Sequence, residues 1–336
     1  MKDTHKLVSI EWLRGIAAFG VCEMHVFCAL DFFSKSDTFF QKYIFPISIA
    51  GRVGVSVFFV ISGFIIPYSM QKNKYTLQRF TFFILRRLAR LEPPYLLSIA
   101  LVVLIMAATA ALKNMPFKID WQLILLHLGY LNVFFSKPWL SGVYWSLAIE
   151  FQYYILIALL FPVFFHKTPV VRAAAFFSSL GLSVFLSFYI SEAFIFVHFP
   201  LFLLGVACCL EKLGYISKPF FVIKIVVLLG VVFFLHHKAN AFFAMLAVLA
   251  IFFDVDIKFR PAYFFGKISY SLYLFHWSIG IELLRNVYLY YYPASSEMHK
   301  IAFCFASLAF CVAFAALMYE VIEKPALNLS KRIKYF

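Results

Sequence analysis

Two polar side chains stand where a plain membrane helix needs none. Arg14 and His25 have ten residues between them, inside residues 10–30, a stretch apolar and long enough to cross a bilayer. Eleven helical steps make about three turns and about 16 Å of rise, so the two side chains share a face. A charge on a spanning helix is costly and usually turns toward the protein interior or a wet cavity. Two such groups stacked on one face suggest a lined passage. Taken singly, each has a plainer use: Arg14 as an inner-leaflet anchor, His25 as a satisfied interior histidine. Glu23 belongs to the same span but points away from His25 by helical geometry.

Four further stretches carry chemistry-bearing residues. Around Glu150 the sequence reads VYWSLAIEFQYYIL, with Trp145, Ser146, Gln152, Tyr153 and Tyr154 beside an intramembrane carboxylate that needs a partner. At a depth matching His25, Glu150 would fix the imidazole tautomer and raise its basicity, as general-base catalysis requires; a structural ion pair with an arginine is the alternative. In RRLARLEPPY, Arg86, Arg87 and Arg90 cluster on one flank of a helix before Pro93 and Pro94 break or restart it. They read either as an anchor on lipid phosphates or as a cytoplasmic clamp for a phosphate ligand, whose oxygens the guanidinium fork matches. Ser62 and Gly63 sit mid-span among aromatics, as close helix packing or as a floor beside a thin ligand. Ser269, Ser271, Tyr273 and His276 bring polar atoms into a late span, with His276 either packed or catalytic.

These groups need a membrane scaffold to position them, and the composition supplies one. The 336 residues are 64% hydrophobic and only 14% charged, with mean hydropathy +0.89; a soluble domain is about 25% charged. The expectation is an all-α polytopic helix bundle of about ten transmembrane helices: 10–30, 51–70, 93–112, 143–165, 170–190, 195–211, 219–236, 240–254, 268–286 and 299–321. Residues 121–135 read as a short interfacial or re-entrant helix. The net charge of +14 sits mostly at the ends of apolar runs, which points to topology and anionic lipid and excludes nucleic acid as a partner. With both termini cytoplasmic, nineteen Lys and Arg residues fall on the cytoplasmic side, eight on the other, and Arg14, Arg52 and Lys224 within spans. Lys2 and Lys6 precede a run interrupted by Glu11 and Arg14, which reads as an uncleaved first span rather than a signal peptide. The six cysteines lie inside apolar runs without metal spacing, so no metal site is expected. No repeat or linker divides residues 1–336, which read as a single membrane domain.

In order along the chain, these motifs resemble the acyltransferase-3 family of bacterial integral membrane acyltransferases. The resemblance rests on Leu13-Arg14-Gly15-Ile16-Ala17-Ala18 with His25, on Phe58-Phe59-Val60-Ile61-Ser62-Gly63-Phe64, and on the arginine-rich stretch from Arg87 to Tyr95. Trp145 to Tyr154, Ser269 to His276 and Glu323-Lys324-Pro325 complete it. Phe151 stands where many members carry a second carboxylate. The resemblance implies transfer of an acyl group, most often acetyl, from acyl-CoA as donor substrate to a hydroxyl of a glycan or other acceptor, with no bound cofactor. Carried onto this sequence, His25, Glu150 and Arg14 would be catalytic, and Arg14, Arg86, Arg87 and Arg90 would hold the acyl-CoA. Ser62, Trp145, Tyr153, Tyr273 and His276 would line the substrate path. His25 would act as general base or as an acylated relay. The expected location is the inner membrane. The SGNH hydrolase-like domain fused to some members is not expected here, leaving direct transfer or a separate partner. A transporter or flippase is the rival class, since buried Arg, His and Glu also form proton or substrate paths.

Overall fold

Helices account for every regular element of the computed structural model, which describes residues 7–29, 39–292 and 296–333; among these residues there is no strand. Lys2, Lys6, Leu30, Lys35 and Lys334, used in the reading of spans and charge, lie outside the described residues. In chain order come α1 (Val8–Ala29), α2 (Phe45–Ser48), α3 (Gly54–Lys72), α4 (Phe80–Leu112), α5 (Trp121–Leu128), α6 (Tyr144–Phe164), α7 (Pro169–Ser187) and α8 (Ile195–Lys212). They are followed by α9 (Lys218–Leu235), α10 (Lys238–Phe252), α11 (Arg260–Lys267), α12 (Ser269–His276), α13 (Asn286–Tyr291), α14 (Glu297–Met318) and α15 (Lys324–Arg332).

Among the described residues, eight helices are long and apolar enough to span a bilayer. Two of the ten expected spans are not among these eight. Residues 240–254 form α10, an apolar helix of 15 residues. Residues 268–286 form α12, which widens at Trp277–Arg285 into a π-helix.

The expected break at Pro93 and Pro94 does not occur: α4 runs through both prolines for 33 residues. Each proline removes one backbone donor, yet a helix surrounded by lipid and protein has no water to compete for the freed carbonyls, and neighbouring side chains can reach that turn. The carbonyls freed are those of Ala89 and Arg90; next to them the Tyr270 hydroxyl donates to the Leu91 carbonyl at 2.9 Å and ties α4 to α12.

The element expected at 121–135 is α5 followed by a 3₁₀ turn at Asn132–Phe135. The Asp120 carboxylate caps α5 by accepting from Leu123 N at 3.0 Å. His127 bolts the segment together, with Nδ1 donating to the Leu123 carbonyl at 2.7 Å and Nε2 accepting from Leu140 N at 3.0 Å. Trp121, Leu125, Phe134 and Phe135 remain exposed, as at an interfacial element.

Backbone contact holds the centre together. A Cβ at Gly63 of α3 would collide with the Phe202 carbonyl of α8, and one at Gly205 of α8 with the Val60 carbonyl of α3. Small residues let helices approach this closely, where packing replaces hydrophobic drive between spans. Gly63→Val is therefore expected to push α8 off α3, at a cost of about 1–3 kcal/mol. A lower melting temperature in detergent and a lower membrane yield would check it; a wild-type melting curve would refute the contact.

Candidate functional site

Arg14, Ser62, Arg87, Arg90, Glu150 and Tyr273 converge on one cavity of about 250 Å³ enclosed by α1, α3, α4, α6 and α12. Helical phase decides which side chains reach it. On α3 the stripe Val55, Phe58, Phe59, Ser62, Ile65, Ile66 and Ser69 faces it, the spacing of one helix face. From Val55 to Ser69 that stripe runs about 21 Å along the axis. On α6, Ser146, Glu150 and Tyr154, each four residues from the next, turn the same way.

Arg14, Arg87 and Arg90 supply the positive charge of the cavity wall. Arg14 is aimed by its neighbour: a Cβ at Gly15 would strike the Ala262 backbone, so α1 lies flat against α11 and presents Arg14 to the cavity. The charges around Arg14 are Arg90, Glu323 and Glu150. Among the described residues neither Arg14 nor Arg90 forms an ion pair with a carboxylate. Arg87 lies over the rings of Phe83 and Tyr154, 5.3 and 5.6 Å from their centroids. Arg86 does not line the cavity, which separates it from the arginine set expected from the sequence.

Glu150 and His25 have different partners from those expected. Ser62 Oγ donates to Glu150 Oε1 at 2.7 Å, and Tyr154 faces the same carboxylate. His25 instead pairs with His276, Nδ1 to Nε2, at 3.0 Å, the two rings stacked 5.2 Å apart. The reason lies in helix register. Gly54 at the start of α3 touches Ala17 and Val21 of α1, which leaves His25, further along α1, beyond the start of α3. Arg14 stands abreast of the cavity that Glu150 lines.

Tyr273 separates cavity and histidine pair. It lines the cavity, shares a 2.5 Å hydrogen bond with Ser146 Oγ, meets Phe58 edge-on at 5.6 Å, and lies 6.0 Å from the His276 ring.

Ser62 and Tyr273 thus line the cavity as expected from the sequence, and three other expected lining residues do not. Tyr153 is fully buried, stacked on Phe202 at 4.1 Å with its hydroxyl toward the Gly63 carbonyl; its neighbour Tyr154, about 100° further around α6, takes the cavity position. Trp145 packs on His198 at 5.6 Å. His276 is buried behind Tyr273.

Glu323, of the Glu323-Lys324-Pro325 motif, holds a helix of the site in place. Its Oε2 accepts from Ser271 N at 3.0 Å and Ser271 Oγ at 2.6 Å. Ser271 N is one of the first amides of α12, which have no partner within the helix, so Glu323 caps the helix that carries His276 at its other end.

Comparison with known proteins agrees with this arrangement. The family profile described as an acyltransferase domain matches residues 7–320. The O-acetyltransferase OatA of Staphylococcus aureus, in strains NCTC 8325 / PS 47 and COL, is 28% identical over 71% of this chain and 47% of the relative. A third protein, SACOL0978 of strain COL, whose name gives the same activity provisionally, is 25% identical over 82% of this chain and 52% of its own length. The chain spans about half the length of these curated relatives. No solved structure matches it. With most of its length under one family profile, the chain belongs to the acyltransferase-3 family of multi-pass membrane proteins.

Proposed function

We propose that this protein is an O-acetyltransferase of the cytoplasmic (inner) membrane, moving an acetyl group from acetyl-CoA to a hydroxyl of a glycan. The observation that carries the reading is the cavity wall: two guanidinium groups, Arg14 and Arg90, face a narrow passage without a carboxylate ion pair among the described residues. Arginine clusters of this kind recognise phosphate, and the CoA end of the donor carries phosphates. The charge bias of the loops favours the cytoplasmic end for Arg87 and Arg90, where acyl-CoA is found. From there the passage leads past Ser62 and Glu150 to Tyr273, with His25 beyond.

In this mechanism the phosphates rest on Arg87, Arg90 and Arg14, and the thin pantetheine arm follows the α3 stripe. His25 removes the proton from the acceptor hydroxyl. The oxygen attacks the thioester carbonyl, the new C–O bond forms, and the C–S bond breaks. The departing thiolate takes the proton back from His25, giving ester and free CoA.

The test is purified protein in liposomes given labelled acetyl-CoA and a glycan acceptor. Acceptor-dependent loss of thioester and label on the glycan are expected; movement of glycan across the bilayer with no thioester consumed would favour the transporter reading. The arginines give a finer check. Arg90→Ala is expected to raise KM for acetyl-CoA with little change in kcat, because contacts to a remote part of the donor supply uniform binding. Arg86→Ala should change KM far less. Equal effects would return both residues to lipid anchoring.

A further inference from the structure

We infer that His276 is the positioning residue for His25, holding its imidazole in the tautomer whose Nε2 carries the lone pair. The inference rests on the reading of His25 as the base, and it gives His276 the role that the sequence suggested for Glu150.

The hydrogen bonds assign the protons in order. His276 Nδ1 lies 3.0 Å from the Leu272 carbonyl, which can only accept, so Nδ1 carries a hydrogen. In the neutral ring Nε2 is then an acceptor. His25 Nδ1, 3.0 Å from that atom, must donate to it. One nitrogen of a neutral imidazole keeps its lone pair, and the partner of the other nitrogen decides which. For His25 it is Nε2, on a ring that is only partly buried, whereas His276 is 1% exposed. When Nε2 takes the hydroxyl proton, the positive charge is shared through Nδ1–H with His276 Nε2 rather than left on one ring.

The surroundings hold this pair in place. Trp277 meets the His25 ring edge-on at 5.1 Å, and its own indole donates to Glu282 Oε1 at 3.0 Å. Gly142 abuts the indole so closely that any side chain there would collide with it. The π-helix begins at Trp277, directly after His276. Such wide turns occur often at functional sites. The Glu323 cap fixes the start of the same helix. Among the described residues no carboxylate is paired with either ring: Glu23 is bonded to Ser48 and Glu150 to Ser62.

The test compares wild type with His276→Phe and His276→Gln in lipid nanodiscs, by ¹⁵N-histidine NMR and by acetyl transfer. In wild type His25 should show a protonated Nδ1 and a bare Nε2. His276→Phe leaves the Val21 carbonyl as the remaining acceptor beside the His25 ring and should lower the share of that tautomer. Its kcat should fall roughly 10- to 100-fold, by analogy with the outer partners that orient metal-bound histidines, with KM for acetyl-CoA unchanged. His276→Gln offers an amide oxygen to Nδ1–H and should recover the tautomer and most of the rate. An unchanged His25 tautomer in His276→Phe overturns the inference, and so do equal losses in the Phe and Gln variants, which would mark a packing role. An active His25→Ala enzyme would instead remove the base reading, and the nitrogen spectra alone would then decide the pairing.

Discussion

His25→Ala is expected to lower acetyl transfer by about 10²- to 10⁴-fold, the usual contribution of a positioned general base. The protein should stay folded, because the ring is only partly buried, edge-on to Trp277 and stacked with His276. Its loss should fall on kcat, leaving KM for acetyl-CoA near its wild-type value, since the arginine wall lies about 16 Å away along α1. His25→Gln should be no better than alanine, because its amide cannot accept and return a proton. Near-normal turnover in either variant would remove His25 from the chemistry. A loss confined to KM would move it to acceptor binding.

The membrane fold was legible because it is written in composition: few charges, long apolar runs, and basic residues at their ends. The cavity was partly legible for a similar reason. Arg14, Ser62, Arg87, Arg90, Glu150 and Tyr273 all reach it, and each is a polar group that an apolar span tolerates only with a reason. Phase along α6 was a signal present in the sequence and not used. Counting by four from Glu150 selects Ser146 and Tyr154, which line the cavity, over Trp145 and Tyr153, which do not. Register between helices could not be read this way. Glu150 and His25 match in depth by counting residues, but which helices stand side by side depends on backbone contacts such as Gly15 against Ala262. The partner of His25 therefore came from α12. The continuation of α4 through Pro93 and Pro94 was hidden for a related reason, since the proline rule describes an isolated helix and α4 is packed among others.

The second large effect concerns Arg14 and Glu150. Arg14 has Arg90, Glu323 and Glu150 as charged neighbours, so charges of both signs surround it and offset one another. Arg14→Ala leaves two carboxylates with less compensation and removes a contact for donor phosphate. Both KM and kcat should suffer, and Arg14→Lys should restore only part of the loss, because a point charge does not reproduce the planar fork. Glu150→Gln keeps the Ser62 hydrogen bond, since its amide oxygen can still accept, but loses the charge. If Arg14 and Glu150 act in one field, their double mutant should be better than the product of the single losses, by a coupling of about 0.5–3 kcal/mol, or roughly 2- to 150-fold. The same cycle between Glu150 and His25 should show little coupling, because the two side chains have separate partners, Ser62 for one and His276 for the other. Strong coupling of Glu150 to His25, with none to Arg14, would mean that the carboxylate turns toward the imidazole during turnover, and the charge arrangement described for the cavity would have to be redrawn.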